Sequence, residues 1–148
     1  MCVGHFQELA ASDSVGWMLR GGITMGQLFI DDVMVWGNAL VKAYYLEDKI
    51  ANYPRIVIDE EVIMECEGQA QLQDYFKIDF DGIYFLNYLQ DCHFCGQMLM
   101  NGFEIMKDEI KLKMNEKMKQ KFSWHMNYVN SELDRKNEEI DKKYRLQM

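Results

Sequence analysis

Short apolar runs alternate with helical stripes over the first part of the chain, and this pattern predicts strands followed by helices. A β-rich run covers residues 15–30, where Trp17 and Leu28 are among the candidates for burial. The pair Asp31-Asp32 is typical of a hairpin tip, because aspartate tolerates turn geometry. A second apolar run at residues 33–36 then predicts the returning strand.

The next stretch predicts a helix, a strand and a second helix. The first helix covers residues 38–50, and Asn38 can cap its N-terminus through the side-chain oxygen. Pro54 separates this helix from the β-branched run 55–58, because the residue before a proline favours extended geometry. Asp59 is suited to cap the helix that follows. The order strand, strand, helix, strand, helix is the informative part of the topology.

The remaining pattern predicts one more hairpin and a helical C-terminal part. Asp79-Phe80-Asp81-Gly82 lies between two apolar-aromatic runs, where Asp-Gly is a strong hairpin signal. The string resembles the start of a calcium loop, but the later oxygen ligands of such a loop are absent. A short helix is predicted over residues 6–14, and a longer helical stripe runs from 103 to 133. Its steps of four drift by roughly 40° each, so we expect a break near 120–124 or 127–130.

These elements predict an α+β fold in two parts. Residues 1–90 are expected to form a domain with a partial antiparallel sheet, packed helices and a terminal hairpin. Residues 91–148 are expected to form a helical extension that packs on the same core.

Charge excludes some classes of partner. Residues 1–102 carry 5 Lys+Arg against 15 Asp+Glu, a net charge of −10, whereas residues 103–148 carry 11 against 9, a net charge of +2. An acidic body argues against nucleic acid, because phosphate binding needs a cationic face. It would also repel a nucleoside triphosphate unless divalent metal ions intervened.

Neither a membrane span nor a signal peptide is predicted. No run approaches the ~18 to 20 apolar residues that a span needs. The N-terminus lacks a basic region followed by an apolar one. We therefore expect a cytoplasmic protein that does not bind membranes.

A zinc site and a catalytic aspartate are the simplest candidate sites. Asp91-Cys92-His93-Phe94-Cys95 contains three potential zinc ligands, but a tetrahedral site needs a second pair, and only Cys66 or Cys2 could contribute. Half-buried cysteines are the better interpretation, and no metal site is predicted. Asp13 could be a catalytic carboxylate, but a solvated loop aspartate is the simpler interpretation.

Three glycines mark the first β-rich run. Gly21 and Gly22 are adjacent, and Gly26 follows four residues after Gly22. Glycine weakens a strand interior, so such positions indicate a bulge or the close approach of another backbone or a ligand. All three are therefore candidate close-approach backbone positions.

The residues around these glycines resemble a known family. The order R-G-G-I-x-x-G, a hairpin, V-W-G and a helix with A-x-x-L-E is similar to the second half of the class III adenylate/guanylate cyclase catalytic domain. That pattern runs R-x-G-I-x-x-G, a turn, then Y-D-V-x-G-x-x-V-N-x-A-x-R-L. The matching residues are Arg20, Gly22, Ile23, Gly26, Val35, Gly37, Ala43 and Leu46. Asp79 to Gly82, Trp124 and Asn130 more loosely resemble the C-terminal part of a bacterial branch of cyclase-like proteins. The pyrimidine cyclases of anti-phage signalling are similar in general fold.

The resemblance implies a cyclase-like, ferredoxin-like fold and a dimer whose active sites lie between subunits. In that family one subunit supplies two aspartates that hold two metal ions, and the other supplies an Asn and an Arg that stabilise the developing charge. The aspartates precede the R-x-G-I motif, and only 19 residues precede Arg20 here. We therefore expect no cofactor for this chain alone, and Mg²⁺ or Mn²⁺ only if a partner supplies the carboxylates.

Three further positions of the family pattern are changed. Aligned on Gly37 and Ala43, the Asn position is Val41, the Arg position is Tyr45 and the base-selecting Asp position is Met34. Cyclisation is phosphoryl transfer that depends on positioning, metal ions and cationic stabilisation. The changes therefore remove the usual chemistry.

Arg20, Asn38 and Lys42 remain as candidate catalytic residues, because each could contact a phosphate or a base. For Arg20 we favour a structural ion pair near a strand end. For Lys42 we favour exposed helix surface.

The favoured function is a nucleotidyl-cyclase-homology protein that lacks the metal-binding half and acts by association. It would form a homodimer or pair with a separately encoded cyclase-like half, because missing strands expose a sheet edge. The alternative is a nucleotidyl cyclase subunit, for example in anti-phage signalling, that is active only when a partner supplies the metal aspartates. A third interpretation is a small-ligand domain in which Gly21-Gly22 lets a nucleotide or another ligand approach the strand.

Overall fold

The chain forms two compact units. The structure, a computed structural model, describes residues 3–12, 16–90, 96–111 and 115–136. The helical unit contains Met1–Leu19 and Tyr88–Met148, and the sheet unit contains Arg20–Asn87. The predicted α+β class is confirmed. Among the described helices, none combines the length and the apolar character needed to cross a membrane.

Thirteen elements follow one another along the described residues. In chain order they are α1 (Val3–Ala11), β1 (Gly21–Ile23), β2 (Phe29–Ile30), β3 (Val35–Trp36), α2 (Asn38–Tyr45), a π-helical segment (Leu46–Ile50), β4 (Ile56–Ile58), α3 (Glu60–Glu65), α4 (Ala70–Gln73), β5 (Phe76–Ile78), β6 (Tyr84–Leu86), α5 (Gly96–Lys111) and α6 (Glu116–Lys136).

A four-stranded sheet in the order β1-β4-β6-β5 is the centre of the sheet unit. β4 pairs with β6 and β5 pairs with β6 in antiparallel fashion, whereas β1 and β4 are parallel, so the sheet is mixed and not the antiparallel sheet that was predicted. β1 pairs with β4 in parallel, so Gly22 lies opposite Val57. The buried side chains of Ile56, Ile58 and Leu86 form a core cluster on this sheet. Because β1 and β4 are parallel, the chain between them must cross over, and it does so through α2.

Helix α2 lies directly against β1 at Gly22. A Cβ atom on Gly22 would lie 2.6 Å from the Cβ of Leu46 and 2.7 Å from the carbonyl oxygen of Ala43. A Cβ atom on Gly21 would meet nothing closer than the Cγ1 of Ile56 at 3.6 Å, an ordinary contact. The groups that approach Gly22 are therefore the backbone of α2 at Ala43 and the start of the π-helical segment at Leu46, and the absence of a side chain on Gly22 sets how closely they pack on β1.

Arg55 is fully buried and ties the start of β4 to the turn between β5 and β6. Its guanidinium donates to the carboxylates of Asp79 and Asp81, with Nη1 3.0 Å from Oδ1 of Asp81. It also lies over the ring of Tyr53, 5.4 Å from the centroid. The hairpin predicted at this turn is confirmed. The two aspartates that resembled the start of a calcium loop bind an arginine instead.

β2 and β3 form the hairpin predicted around Asp31-Asp32. The carboxylate of Asp31 accepts hydrogen bonds from the backbone N–H groups of Val33 and Met34, both at 2.8 Å. These two bonds, with Val33 first, lower the pKa of Asp31. The turn is thus fixed by a local side-chain interaction of the kind that aspartate favours.

The strand predicted over residues 15–30 is interrupted. In the described part of this stretch only β1 and β2 are strand, and they belong to different sheets. The chain leaves β1 through Gly26, whose φ of 154° is one that residues with side chains rarely adopt. Trp17 and Leu28 are exposed, so their predicted burial is wrong. The alternation of apolar residues predicted an extended chain, but it could not show that β1 and β2 belong to two different sheets.

The helical unit has an aromatic core between α5 and α6. The rings of Phe103 and Phe122 stack with centroids 4.3 Å apart, and Val129 is completely buried. The hydroxyl of Tyr128 accepts a hydrogen bond of 3.3 Å from the backbone N–H of Leu89, which follows β6 along the chain. This bond joins α6 to the segment that begins at Tyr88, where the chain re-enters the helical unit.

The predicted helix is confirmed over residues 6–11 as part of α1, which begins at Val3; residues 13 and 14 lie outside the described residues, and the predicted apolar face is only partly buried. Ala10 is buried, whereas Phe6 and Leu9 are exposed. A Cβ atom on Gly102 of α5 would lie 2.1 Å from the carbonyl oxygen of Ala11. The small face of α1 therefore packs against α5.

The break predicted in the long helical stripe occurs earlier than expected. α6 continues through both 120–124 and 127–130, so both predicted positions are wrong. The side-chain oxygen of Asn115 accepts a hydrogen bond of 2.9 Å from the backbone N–H of Met118 at the start of α6. A capping residue, rather than the drift of the apolar stripe, sets where this helix begins.

His125 on α6 is buried beside Tyr88, and their rings are nearly parallel with centroids 6.5 Å apart. Burial lowers the pKa of His125 to about 4, because the charged imidazolium is poorly solvated there. Among the described residues, the Nδ1 atom of His125 has no hydrogen-bond partner.

We predict that Gly22→Ala lowers the free energy of unfolding by about 1–3 kcal/mol, because the new methyl group must displace Ala43 or Leu46. Urea unfolding followed by circular dichroism measures this loss. Gly21→Ala is the matched control and should change stability by less than about 0.5 kcal/mol. Equal losses in the two variants would contradict the contact described for Gly22.

Arg55→Leu is expected to cost about 3–5 kcal/mol, because it leaves two carboxylates without their buried partner. Arg20→Leu removes a partly exposed ion pair with Glu47 and should cost less than about 1 kcal/mol. Thermal unfolding of both variants tests the difference. A similar loss from each would show that the burial of Arg55 does not matter.

We predict that the folded protein loses stability in mild acid, because the buried imidazole of His125 resists protonation. The pKa in the folded protein lies below the ordinary value of 6.5, so the unfolded chain binds the proton first. The contribution of neutral His125 is complete above pH 6.5 and is lost as the pH falls toward 4. Between pH 6.5 and 5 this loss should be about 2 kcal/mol.

The measurement is the urea midpoint at several pH values for the natural chain and for His125→Leu. The variant should lack this part of the pH dependence. Identical pH profiles for the two proteins would rule out His125 as its source.

Candidate functional site

A cleft of about 630 Å³ opens on the sheet unit beside the N-terminal part of α2. Its wall comes from the loop after β1, from one side of α2 and from the first turn of α3. The residues that line it are Met25, Gly26, Asn38, Val41, Lys42, Tyr45 and Glu61. The close contact of α2 with Gly22 fixes the position of the helix that supplies four of these seven residues.

Lys42 is the only cation among these seven residues, and it is held by two carboxylates. Its ammonium lies 2.5 Å from Oδ2 of Asp59 and 2.9 Å from Oε2 of Glu61. The hydrogen bond with Asp59, followed by that with Glu61, raises the pKa of Lys42. The expectation that Lys42 is merely exposed helix surface is therefore wrong, because the side chain is only 37% exposed and forms both ion pairs.

Asp59 connects Lys42 to the carboxyl end of β1. Its Oδ2 also accepts a hydrogen bond of 2.5 Å from the hydroxyl of Thr24. Burial acts to raise the pKa of Asp59, but the hydrogen bonds from Lys42 and Thr24 outweigh burial and lower it. Asp59 is also the N-cap residue of α3, and the backbone N–H of Glu61 in the first turn of that helix contributes to the lowered pKa of its carboxylate.

Asn38 and Gly26 face each other at the edge of the cleft. A Cβ atom on Gly26 would lie 2.8 Å from Oδ1 of Asn38, so the amide lies over the backbone of the loop after β1. The prediction that Asn38 caps α2 is wrong, since the N-cap residue is Gly37 and no side chain forms a capping bond. Asn38 is instead the first helical residue, with its side chain available to the cleft.

The other three candidates do not line the cleft. Arg20 forms the structural ion pair favoured from the sequence, with Nε 2.5 Å from Oε1 of Glu47 in the π-helical segment. Its Nη1 also lies 3.5 Å from the carbonyl oxygen of Ala51. Gly21 and Gly22 are part of β1 and contact β4 and α2 respectively. The structure thus brings together Gly26, Asn38 and Lys42 at the cleft. Arg20, Gly21 and Gly22 instead make ion-pair or packing contacts within the sheet unit.

Sequence reasoning missed the two carboxylates that bind Lys42. Ile23 and Ile58 are paired in the parallel register of β1 and β4, so the residues that follow them, Thr24 and Asp59, meet at the same end of the sheet. A prediction of parallel pairing would have placed Asp59 beside the loop after β1. Glu61 then follows two residues later in the first turn of α3, within reach of Lys42.

Chemically, the cleft offers apolar walls and a neutralised lysine. Val41 and Tyr45 of α2 both line it. In the described ranges, no group of three or more His, Cys, Asp or Glu residues is arranged to hold a metal ion. Asp13 and the possible zinc ligands at 91–95 lie outside the described residues.

The ionised groups around Lys42 have a net charge of −1, counting Lys42, Asp59 and Glu61. A phosphate group that approached Lys42 would therefore meet a cluster whose net charge is negative. Comparison with known proteins gives no further assignment. No protein-family model matches the chain, and neither the curated proteins nor the solved structures contain a significant match to it.

Proposed function

We propose that this chain is a nucleotidyl-cyclase-homology protein without phosphoryl-transfer chemistry of its own. It acts by association, with a second copy or with a separately encoded cyclase-like half. The observation that carries the proposal is the lining of the cleft. Val41 and Tyr45 stand at the positions of the transition-state Asn and Arg, and Lys42 is bound by Asp59 and Glu61.

Electrostatics supports this proposal. Phosphoryl transfer depends on metal ions and cationic side chains that neutralise charge on the transferred group. Tyr45 and Val41 supply no positive charge, and the charge of Lys42 is balanced by its neighbours. A nucleoside triphosphate would therefore meet an apolar wall and two carboxylates where it requires cations.

A second candidate is a cyclase subunit that is active only with a partner. The observation that favours it is the presence of both Asn38 and Lys42 in one cleft. In this case Mg²⁺ or Mn²⁺ would be held by carboxylates of the partner, and Lys42 would bind a phosphate oxygen beside Asp59 and Glu61.

The decisive experiment compares nucleotide binding and turnover. The natural chain, incubated with Mn²⁺ and each of the four nucleoside triphosphates, is expected to form no cyclic product and to give no heat of binding in calorimetry. The double variant Asp59→Asn/Glu61→Gln should bind triphosphate at least ~10-fold more tightly, because it leaves the charge of Lys42 unopposed.

Glu65→Gln/Glu67→Gln is the matched control, because it removes the same charge from the same part of the chain without touching Lys42. It should bind triphosphate as weakly as the natural chain. Cyclic product from the natural chain alone, lost in Lys42→Ala, would overturn the proposal in favour of an active cyclase. Equal gains in both double variants would show that only the overall charge matters.

A further inference from the structure

Three buried side chains of the helical unit each have a polar atom with no hydrogen-bond partner among the described residues. They are Gln7 of α1, Tyr88 after β6 and His125 of α6, and their exposed fractions are 3%, 5% and 3% in that order. The unpaired atoms are Oε1 of Gln7, the hydroxyl oxygen of Tyr88 and Nδ1 of His125. Leaving a buried polar atom unpaired costs free energy, so such atoms in native proteins nearly always bind a protein group or an ordered water molecule.

Tyr88 and His125 lie side by side without a direct bond between their polar atoms. Their rings are inclined by only 16°, and the centroids are 6.5 Å apart. A water molecule with bonds of about 2.8 Å to two partners joins atoms that are roughly 4–5 Å apart. Polar atoms on two rings at this separation can lie at that spacing, which is too long for a direct bond and suits one intervening molecule.

Helix α1 lies close enough to Tyr88 to act on its hydroxyl. Burial raises the pKa of Tyr88, and the negative charge of Glu8 on α1 raises it further. Gln7 precedes Glu8 in the same helix and belongs to its buried side, whose residues are Gly4, Gln7, Ala10 and Ala11. Gln7 is the only one of these four with a polar side chain, so the inward face of α1 offers one acceptor to the interior that contains Tyr88.

Apolar burial gives α1 little hold on the rest of the unit. Its large apolar side chains, Val3, Phe6 and Leu9, are exposed. The apolar residues that it does bury are small. Because hydrophobic stabilisation grows with the apolar area removed from water, a helix of this kind gains little from packing alone. A polar link through Gln7 would add stability where apolar contacts are few.

The three unpaired atoms consist of one donor and two acceptors. The hydroxyl of Tyr88 can donate, Oε1 of Gln7 accepts, and Nδ1 of a neutral imidazole accepts when the proton is on Nε2. His125 is neutral at pH 7, because burial lowers its pKa to about 4. A cation could not accept the proton of the hydroxyl, and an anion could not donate to the two acceptors. Water does both, since it accepts from one group and donates to two.

We propose that one internal water molecule binds the hydroxyl of Tyr88, Nδ1 of His125 and Oε1 of Gln7, and so links α1 to α6 inside the helical unit. It accepts a hydrogen bond from Tyr88 and donates one to each of the other two side chains. Internal water molecules in proteins typically make about three hydrogen bonds to groups that otherwise lack a partner. The site belongs to the helical unit, so it does not depend on the function proposed for the sheet unit.

The sign of the effect of Tyr88→Phe tests the water site. Removing an unpaired buried hydroxyl should stabilise the protein, whereas removing one that binds water should raise the equilibrium constant for unfolding ~5-fold. Urea unfolding measures this constant. Tyr128→Phe is the matched control in the same unit, because its hydroxyl bonds directly to the backbone N–H of Leu89, and it should raise the constant as well. A constant that stays the same or falls in Tyr88→Phe would overturn the proposal.

Two further measurements show whether the side chains share one molecule. Tyr88→Phe should have a smaller effect in a His125→Leu or a Gln7→Met background, because the water has already lost a partner; additive effects would contradict a shared water. A crystal structure of the natural chain needs no variant, so it keeps the test valid if one misfolds. It should show a water oxygen within ~3.2 Å of all three atoms. A dry contact, a direct bond between these side chains, or a metal ion identified by anomalous scattering would overturn the proposal.

Discussion

The contact between Gly22 and the backbone of α2 determines the arrangement of the sheet unit. Because Gly22 has no side chain, Ala43 and Leu46 rest on β1 itself, and α2 has a fixed height above the sheet. That height places Lys42 within 3 Å of Asp59 and Glu61 at the end of β4. It also leaves Val41 and Tyr45 beside the cleft. A single missing methyl group thus sets the geometry of the candidate site.

Local interactions made much of this fold predictable from sequence. Asp31 fixes its own turn by bonding to the next backbone N–H groups, and Asp81-Gly82 closes the β5–β6 hairpin. Both depend on residues that are adjacent in the chain, so a pattern of residue types identifies them. The start of α6 was predictable in the same way from Asn115, but the long apolar stripe directed the prediction to a later break.

Long-range pairings could not be predicted in this way. Arg55 meets Asp79 and Asp81 only because β4 and β6 are neighbours, and Lys42 meets Asp59 only because β1 and β4 are parallel. Neither partner is marked by spacing along the chain. The sequence therefore indicated three residues that line the cleft, Gly26, Asn38 and Lys42, but not that the charge of Lys42 is already balanced.

The same residues of α2, Val41 and Tyr45, line the cleft and are exposed to solvent. A phosphoryl-transfer site needs unpaired cations and amides in a water-accessible cleft, whereas the centre of a protein interface needs apolar groups and few charges. Val41 and Tyr45 satisfy the second requirement, and in the proposed alignment with cyclases they stand at the positions whose residues satisfy the first. Neutralisation of Lys42 by Asp59 and Glu61 acts in the same direction, because it removes the one cation that would oppose docking of an apolar surface. On this argument, the proposed loss of chemistry and the proposed association are consequences of the same residues, so a change that restores one should weaken the other.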